Sequence, residues 1–346
     1  MTAIEVLYGG LNGLVEYLSL HVIGCLVPAL FIAGAISAFA SQTAILKYFG
    51  PKANKSRAYA VGSVSGTILA VCSCTVLPLF GGIYKRGAGI GPAIAFLFSG
   101  PAINILAITY TANILGYELG IARAVGAIAF AIGIGLTMAF IFRKEETEKL
   151  ANASAFVLPE DNSDTRKPWQ YVVFFGALVG ILLTAAGKQW IPLGILGGVL
   201  GYSMKSWFSR EELKQWMEET LYFLKRILPW LLIGVFIAGI LGVVIPPPAM
   251  ATYMGGNTVF GNFIASIGGA LMYIATLTEV PIIKTFLDLG MGNGPALALL
   301  LAGPALSLPS MLALRGIMGG KKTFTYVALV VAAATVTGLI YGAITS

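Results

Sequence analysis

The chain has 346 residues, 57% of them hydrophobic and only 11% charged, with a mean hydropathy of +0.85. Soluble domains carry about 25% charged residues, so this inventory cannot clothe a water-exposed surface and excludes an ordinary soluble enzyme. The net charge of +7 is not a nucleic-acid signal, because the basic residues lie between apolar runs, where Lys and Arg mark cytoplasmic loops. A transmembrane barrel would need short strands of alternating polarity, a pattern these runs lack.

In chain order, a peripheral start (Met1 to Asn12) leads into a first predicted span at Leu14 to Ala40. A basic loop with Lys47, Lys52, Lys55 and Arg57 precedes a second stretch, Ala58 to Gly82, which contains Cys72, Cys74 and Pro78. A third stretch, Ile90 to Ala112, is broken by Gly100-Pro101, and a fourth runs from Gly120 to Phe142. Arg143 to Pro168 mixes both charge signs with Asn, Ser and Pro and reads as a linker. Two short runs, Tyr171 to Ala186 and Ile191 to Met204, flank Lys188; Arg210 to Arg226 reads as a charged helix along the cytoplasmic surface. Four further stretches follow: Leu228 to Ile245, Phe260 to Ile283, Gly294 to Leu314 and Phe324 to Ile344. The expected fold is all-α and polytopic, with about 8–10 spans. Its expected organisation is a first repeat over 1–142, a linker over 143–169, connecting segments over 170–226 and a second repeat over 227–346. Met1 to Leu11 carries Glu5 and no basic residue, which argues against a cleavable signal and for an inner membrane.

The halves repeat. Thr75 to Asn104 aligns without a gap on Thr278 to Ser307, 203 residues on, so that Pro78, Pro92 and Pro101 face Pro281, Pro295 and Pro304. Gly87, Gly89, Gly91 and Gly100 likewise face Gly290, Gly292, Gly294 and Gly303. Paired Gly/Pro interruptions are the sequence pointer to a transporter's binding site, because a broken helix frees backbone groups that lipid cannot satisfy. The breaks at Pro78/Pro281 and Gly100-Pro101/Gly303-Pro304 are therefore expected to meet near the midplane around a polar pocket. Loop 41–57 is basic and its counterpart 246–259 uncharged, which favours an inverted repeat, although Lys321 and Lys322 then sit on the wrong side.

The residues able to carry chemistry are few. Cys72 and Cys74, with Ser73 and Thr75 between and after them, sit at a repeat-defined break, where two thiolates would select soft partners such as trivalent arsenic or antimony, Cu(I) or zinc. A Cys in a bundle is also simply a small apolar residue. Cys25 and His21 share one helical face and could add a third sulfur and a group that titrates near neutral pH. Glu279, in the repeat position of Val76, is an acid in an apolar stretch and by default marks a proton or ion path. Ser99, Asn104 and Ser307 lie at or just after the Gly-Pro breaks and could line the pocket. There is no Walker motif and only one His, so neither ATP hydrolysis nor a His-ligated zinc hydrolase is expected, and no cofactor.

The segment Cys72-Ser73-Cys74-Thr75-Val76-Leu77-Pro78-Leu79, with Lys85-Arg86-Gly87-Ala88 and Gly100-Pro101-Ala102, resembles the predicted-permease family that includes the ArsP-type trivalent organoarsenical efflux permeases. The resemblance implies efflux of a thiol-reactive metalloid, with Cys72 and Cys74 as candidate ligands and arsenical resistance as the outcome. Thr75 and Val76 depart from the Gly and small apolar residue expected after the pair in the arsenical branch. The reading that follows is a proton-coupled permease whose partners are the bilayer and a metalloid substrate. Two alternatives stand beside it: a thiol–disulfide relay working with a soluble thioredoxin-like protein, and a small-anion transporter whose cysteines are passive.

Overall fold

A computed structural model describes residues 3–18, 26–39, 54–69, 73–103, 105–148, 167–186, 189–244, 253–272 and 279–345. The described chain is helical, as it must be where lipid offers the backbone no hydrogen bonds. The helices are α1 (Ala3–Tyr17), α2 (Val27–Phe39), α3 (Lys55–Leu69), α4 (Ser73–Lys85), α5 (Ile90–Ala102), α6 (Ile105–Leu115), α7 (Tyr117–Ile141) and α8 (Pro168–Ala186). They continue with α9 (Trp190–Trp207), α10 (Arg210–Val244), α11 (Val259–Leu271), α12 (Glu279–Asp288), α13 (Asn293–Ala305), α14 (Leu308–Met318) and α15 (Gly320–Thr345). Among the described residues, Tyr117–Ile141, Arg210–Ile240 and Gly320–Thr345 are each long and apolar enough to cross a membrane. Two bent pairs, α5 with α6 (45°) and α13 with α14 (46°), bring the number to five if each is one span. The protein is a polytopic all-α membrane protein.

The 203-residue repeat reappears in the helices. The bounds of α5, α6 and α7 fall on those of α13, α14 and α15 to within a residue. Two turns require a left-handed residue, and glycine supplies it in both copies: Gly87 (φ 98°) with Gly290 (φ 101°), and Gly116 (φ 102°) with Gly319 (φ 87°). Packing repeats as well. In one half α5 lies between α3 and α7; in the other α13 lies between α11 and α15. The halves interlock reciprocally, α4 against α14 and α12 against α6, while α5 and α13 meet at the centre. All of α5, and all of α13 except Asn293, is buried.

Each trio of helices is drawn together at a glycine crossing. An added Cβ on Gly135 would lie 2.7 Å from the Gly91 carbonyl oxygen, and one on Gly338 would lie 2.7 Å from that of Gly294. Without a hydrophobic force between helices in lipid, such close backbone approach is what holds them. Beside these crossings sit Tyr59 and Asn262, again equivalent residues.

Helix directions make the repeat an inverted one. α7 and its twin α15 run antiparallel: Gly126 faces Thr337, and Lys322 at the start of α15 pairs with Glu146 beyond the end of α7 (3.0 Å). Ala58 to Gly82 is not a single span. The Ser99 hydroxyl donates to Gly62 O, and Tyr59 packs at Gly91, so α3 runs parallel to α5 with their starts together. The Tyr84 hydroxyl donates to Glu146 Oε1 (2.9 Å), and Glu146 Oε2 accepts the Ile90 amide (3.2 Å), so α4 returns to that same end. Phe260 to Ile283 behaves alike: Gly255 bridges Met291, and the Gly292 amide donates to Met254 O (3.0 Å), closing the mouth of an α11/α12 hairpin. The first limb of each hairpin, 15 residues in α3 and 13 in α11, reaches only about 20 Å, short of a ~30 Å hydrocarbon core.

The hairpins settle the basic residues. With 259–288 an out-and-back excursion rather than a crossing, Lys321 and Lys322 fall at the same end as Lys55, Arg57, Lys85 and Arg86, the cytoplasmic end by the positive-inside rule. A second difference concerns Arg210 to Arg226. It is continuous with the apolar run that follows, in the single 35-residue helix α10, because Lys85 bonds Glu219 (2.5 Å), Ser37 bonds Glu219 (2.7 Å) and Gly234 packs on Pro309 along its length.

Candidate functional site

Pro101 has no amide hydrogen and α5 stops at Ala102, so its last carbonyls lack helical partners. The Ile103 amide serves Ser99 O (2.9 Å). The Ala102 carbonyl is served by a side chain, the Nε of Arg123 on α7 (3.4 Å). The same guanidinium donates through Nη1 to Thr111 Oγ1 on α6 (2.9 Å) and through Nη2 to Glu279 Oε2 at the head of α12 (3.3 Å). Thr111 can accept because its own proton goes to Ala107 O (2.6 Å). Arg123 is 0% exposed and Glu279 1%. A solvent-inaccessible ion pair thus sits where α5 breaks, where α13 breaks and where the second hairpin turns back.

Glu279 occupies the first turn of α12, where exposed amides favour a negative charge. Its Oε1 has no hydrogen-bond partner among the described residues and lies 2.9 Å from where a Cβ on Gly303 would be. Gly303 in turn packs against Gly269 of α11. Only glycine leaves room for the carboxylate there.

The second repeat carries an uncharged twin of this arrangement. Tyr326 replaces Arg123 and its hydroxyl donates to Ala305 O (3.4 Å), the carbonyl equivalent to Ala102 O. Leu314 replaces Thr111 and Val76 replaces Glu279, all buried. Among the described residues charge is confined to one of the two pockets.

Of the residues singled out from sequence, Glu279, Gly100, Pro101, Gly303 and Pro304 lie at this junction. Pro281 is the third residue of α12, a position that needs no amide hydrogen, so it starts a helix rather than breaking one. Pro78 lies inside α4. Ser99 and Ser307 are engaged by the protein itself: Ser99 ties α5 to Gly62 O (3.0 Å), and Ser307 caps α14 by accepting the Ser310 amide (3.3 Å). Thr75 is buried on α4. Cys25, His21, Cys72 and Asn104 lie outside the described residues; Ser73 and Cys74 begin α4, their side chains likewise outside them. Among the described residues no three of His, Cys, Asp and Glu gather as metal ligands. Lys284 and Asp288 form an exposed i,i+4 pair (2.7 Å). The sequence reading passed over Arg123. The criterion that found Glu279, a charge within an apolar helix, finds Arg123 too.

At the cytoplasmic end a cleft of about 280 Å³ opens between α4, α10 and α14, lined by Gly81, Tyr84, Lys85, Tyr222, Phe223 and Arg226. Lys85 Nζ stands 4.2 Å from the Tyr222 ring centroid.

Broken helices, opposed hairpins and a buried ion pair between inverted repeats define a membrane transporter of the permease class. The chain belongs to the predicted-permease family ArsP_1, whose profile matches residues 8–343. It is 46% identical to the UPF0718 protein MJ0584 of Methanocaldococcus jannaschii, over 96% of this chain and 95% of that one. It is 24% identical to the UPF0718 protein YraQ of Escherichia coli over 80% of this chain and 66% of that one. No solved structure matches it.

Proposed function

We propose that the protein is a proton-coupled permease for a thiophilic metalloid species in the cell's inner membrane, with Glu279 carrying the proton and Cys72 and Cys74 binding the substrate. The observation that carries this reading is the Arg123–Glu279 pair sealed at the junction of two broken helices. An ionisable group at membrane depth is expensive and marks a substrate or proton path. Coupling falls to Glu279 because a guanidinium does not give up its proton. The first hairpin supports the cysteine role: α3 ends at Leu69 and α4 begins at Ser73, so Ser73 and Cys74 open the second limb, whose far end at Tyr84 lies at the cytoplasmic mouth.

The test is transport of methylarsonous acid by everted and by right-side-out vesicles, comparing wild type with Cys72→Ser/Cys74→Ser and Glu279→Gln. The serine variant should lose transport, and Glu279→Gln should lose its dependence on a proton gradient. Transport by the serine variant equal to wild type would sink the thiolate role. The two vesicle orientations read the direction, which the family resemblance implies is export.

A further inference from the structure

We propose that the species bound at the ion pair is a small thiophilic oxyanion, which takes the place of the Glu279 carboxylate on Arg123 while that carboxylate takes up a proton. The inference rests on the permease reading and adds its substrate class and its coupling rule.

Arg123 is a fixed cation. It is held by Ala102 O and Thr111 Oγ1, neither of which belongs to Glu279, and it stands on the 25-residue helix α7. Glu279 is the exchangeable partner. It meets the guanidinium through one oxygen at 3.3 Å, whereas a tightly held carboxylate would engage the planar fork with both. Its other oxygen has no partner among the described residues, and it sits on the ten-residue helix α12. A guanidinium fork matches an oxyanion as well as it matches a carboxylate.

Charge conservation supplies the coupling. A buried cation without its counter-ion is strongly unfavourable, and so is a buried carboxylate without its cation. An anion that displaces Glu279 from Arg123 therefore binds only if Glu279 is neutralised, so one proton enters for each monoanion and the net charge of the pocket stays at zero. Among the described residues the twin pocket of Tyr326, Val76 and Leu314 has no charge to exchange, so one such site is present there. The thiophilic substrate class of the permease reading asks for a soft centre and Arg123 for a negative charge; hydrogenselenite satisfies both. Anion and proton then cross in the same direction, and export would be powered by the anion's own gradient.

The experiment uses the full chain in proteoliposomes containing a pH-sensitive dye, with radiolabelled selenite outside and protein-free liposomes as baseline. Wild type should accumulate selenite about tenfold more per unit of imposed inside-alkaline pH gradient, the ratio for one proton per anion. Glu279→Gln should keep selenite self-exchange but lose proton movement and gradient response. Arg123→Gln/Glu279→Gln, which removes both charges and leaves neither buried alone, should fold and carry no selenite. Selenite transport by that double variant at the wild-type rate, or accumulation by wild type that ignores the gradient, overturns the inference. Methylarsonous acid in the same liposomes separates the two readings: its transport without that of selenite overturns the anion and leaves the permease, whereas transport of neither overturns both.

Discussion

Tyr326 and Arg123 stand 203 residues apart at the same position of two inverted repeats, and each donates to the last carbonyl of a broken helix, Ala305 and Ala102. The shared task is structural; the charge is what differs. Tyr326→Phe should therefore lower stability by about 1 kcal/mol, the net worth of one hydrogen bond, and leave proton coupling intact. Arg123→Gln strands Glu279 in a dry site and should cost about 3–5 kcal/mol. Unfolding in detergent micelles measures both, and equal losses would contradict the separation of roles.

Gly303 is where backbone and carboxylate compete for space. Gly303→Ala drives a methyl into Glu279 Oε1 and should abolish proton-coupled transport while the protein remains folded. Gly269→Ala overpacks α11 on α13, with its Cβ 3.1 Å from the Gly303 amide nitrogen, and should destabilise by about 1–3 kcal/mol. Gradient-driven uptake and thermal melting distinguish the two. A Gly303→Ala protein with normal coupling would refute this placement of the carboxylate.

Hairpins rather than crossings put the start of α3 and the start of α15 on one face and the α11/α12 mouth on the other. In a cysteine-free background, Ser56→Cys and Lys321→Cys should react with a membrane-impermeant maleimide from the cytoplasmic side. Tyr253→Cys should react only from the opposite side. Labelling of Ser56→Cys and Lys321→Cys from opposite sides would rule out the inverted hairpins.

The cytoplasmic end is fastened by Lys322, which reaches Tyr84 (3.1 Å), Glu146 (3.0 Å) and Glu145 (3.4 Å), joining α15 to α4 and α7. Glu146 also receives the Ile90 amide at the start of α5. Lys322→Met should cost about 1–3 kcal/mol, the penalty for leaving Glu146 under-partnered. Glu145→Gln, at an exposed position, should cost far less. Melting temperatures of the two variants check the order.

The repeat was legible because Gly and Pro are few-purpose residues whose register chance does not reproduce; the positive φ at Gly87 and Gly290 is the physical reason two of them coincide. Glu279 was legible as an acid among apolar neighbours. Arg123 was passed over because it lies seven residues into α7, near Glu118, where a charge reads as one reaching for the interface. The hairpins could not be read at all. Ala58 to Gly82 and Phe260 to Ile283 have the length of single spans, and nothing in their hydrophobicity says that the chain turns back; that depends on partners far along the sequence, such as Glu146 for Tyr84.

At the two glycine crossings, Gly91 on Gly135 and Gly294 on Gly338, main chain rests on main chain with no side-chain layer between to slide or repack. Each trio, α3–α5–α7 and α11–α13–α15, is thereby a stiff block, and Arg123 rides on the first. In the proposed transport cycle Arg123 stays with its block, and opening it to one side of the membrane or the other is work left to the short limbs α4 and α12, which lie outside those seams and contact α14 and α6 across the molecule. The protein is built as two tightly seamed blocks with two short limbs between them.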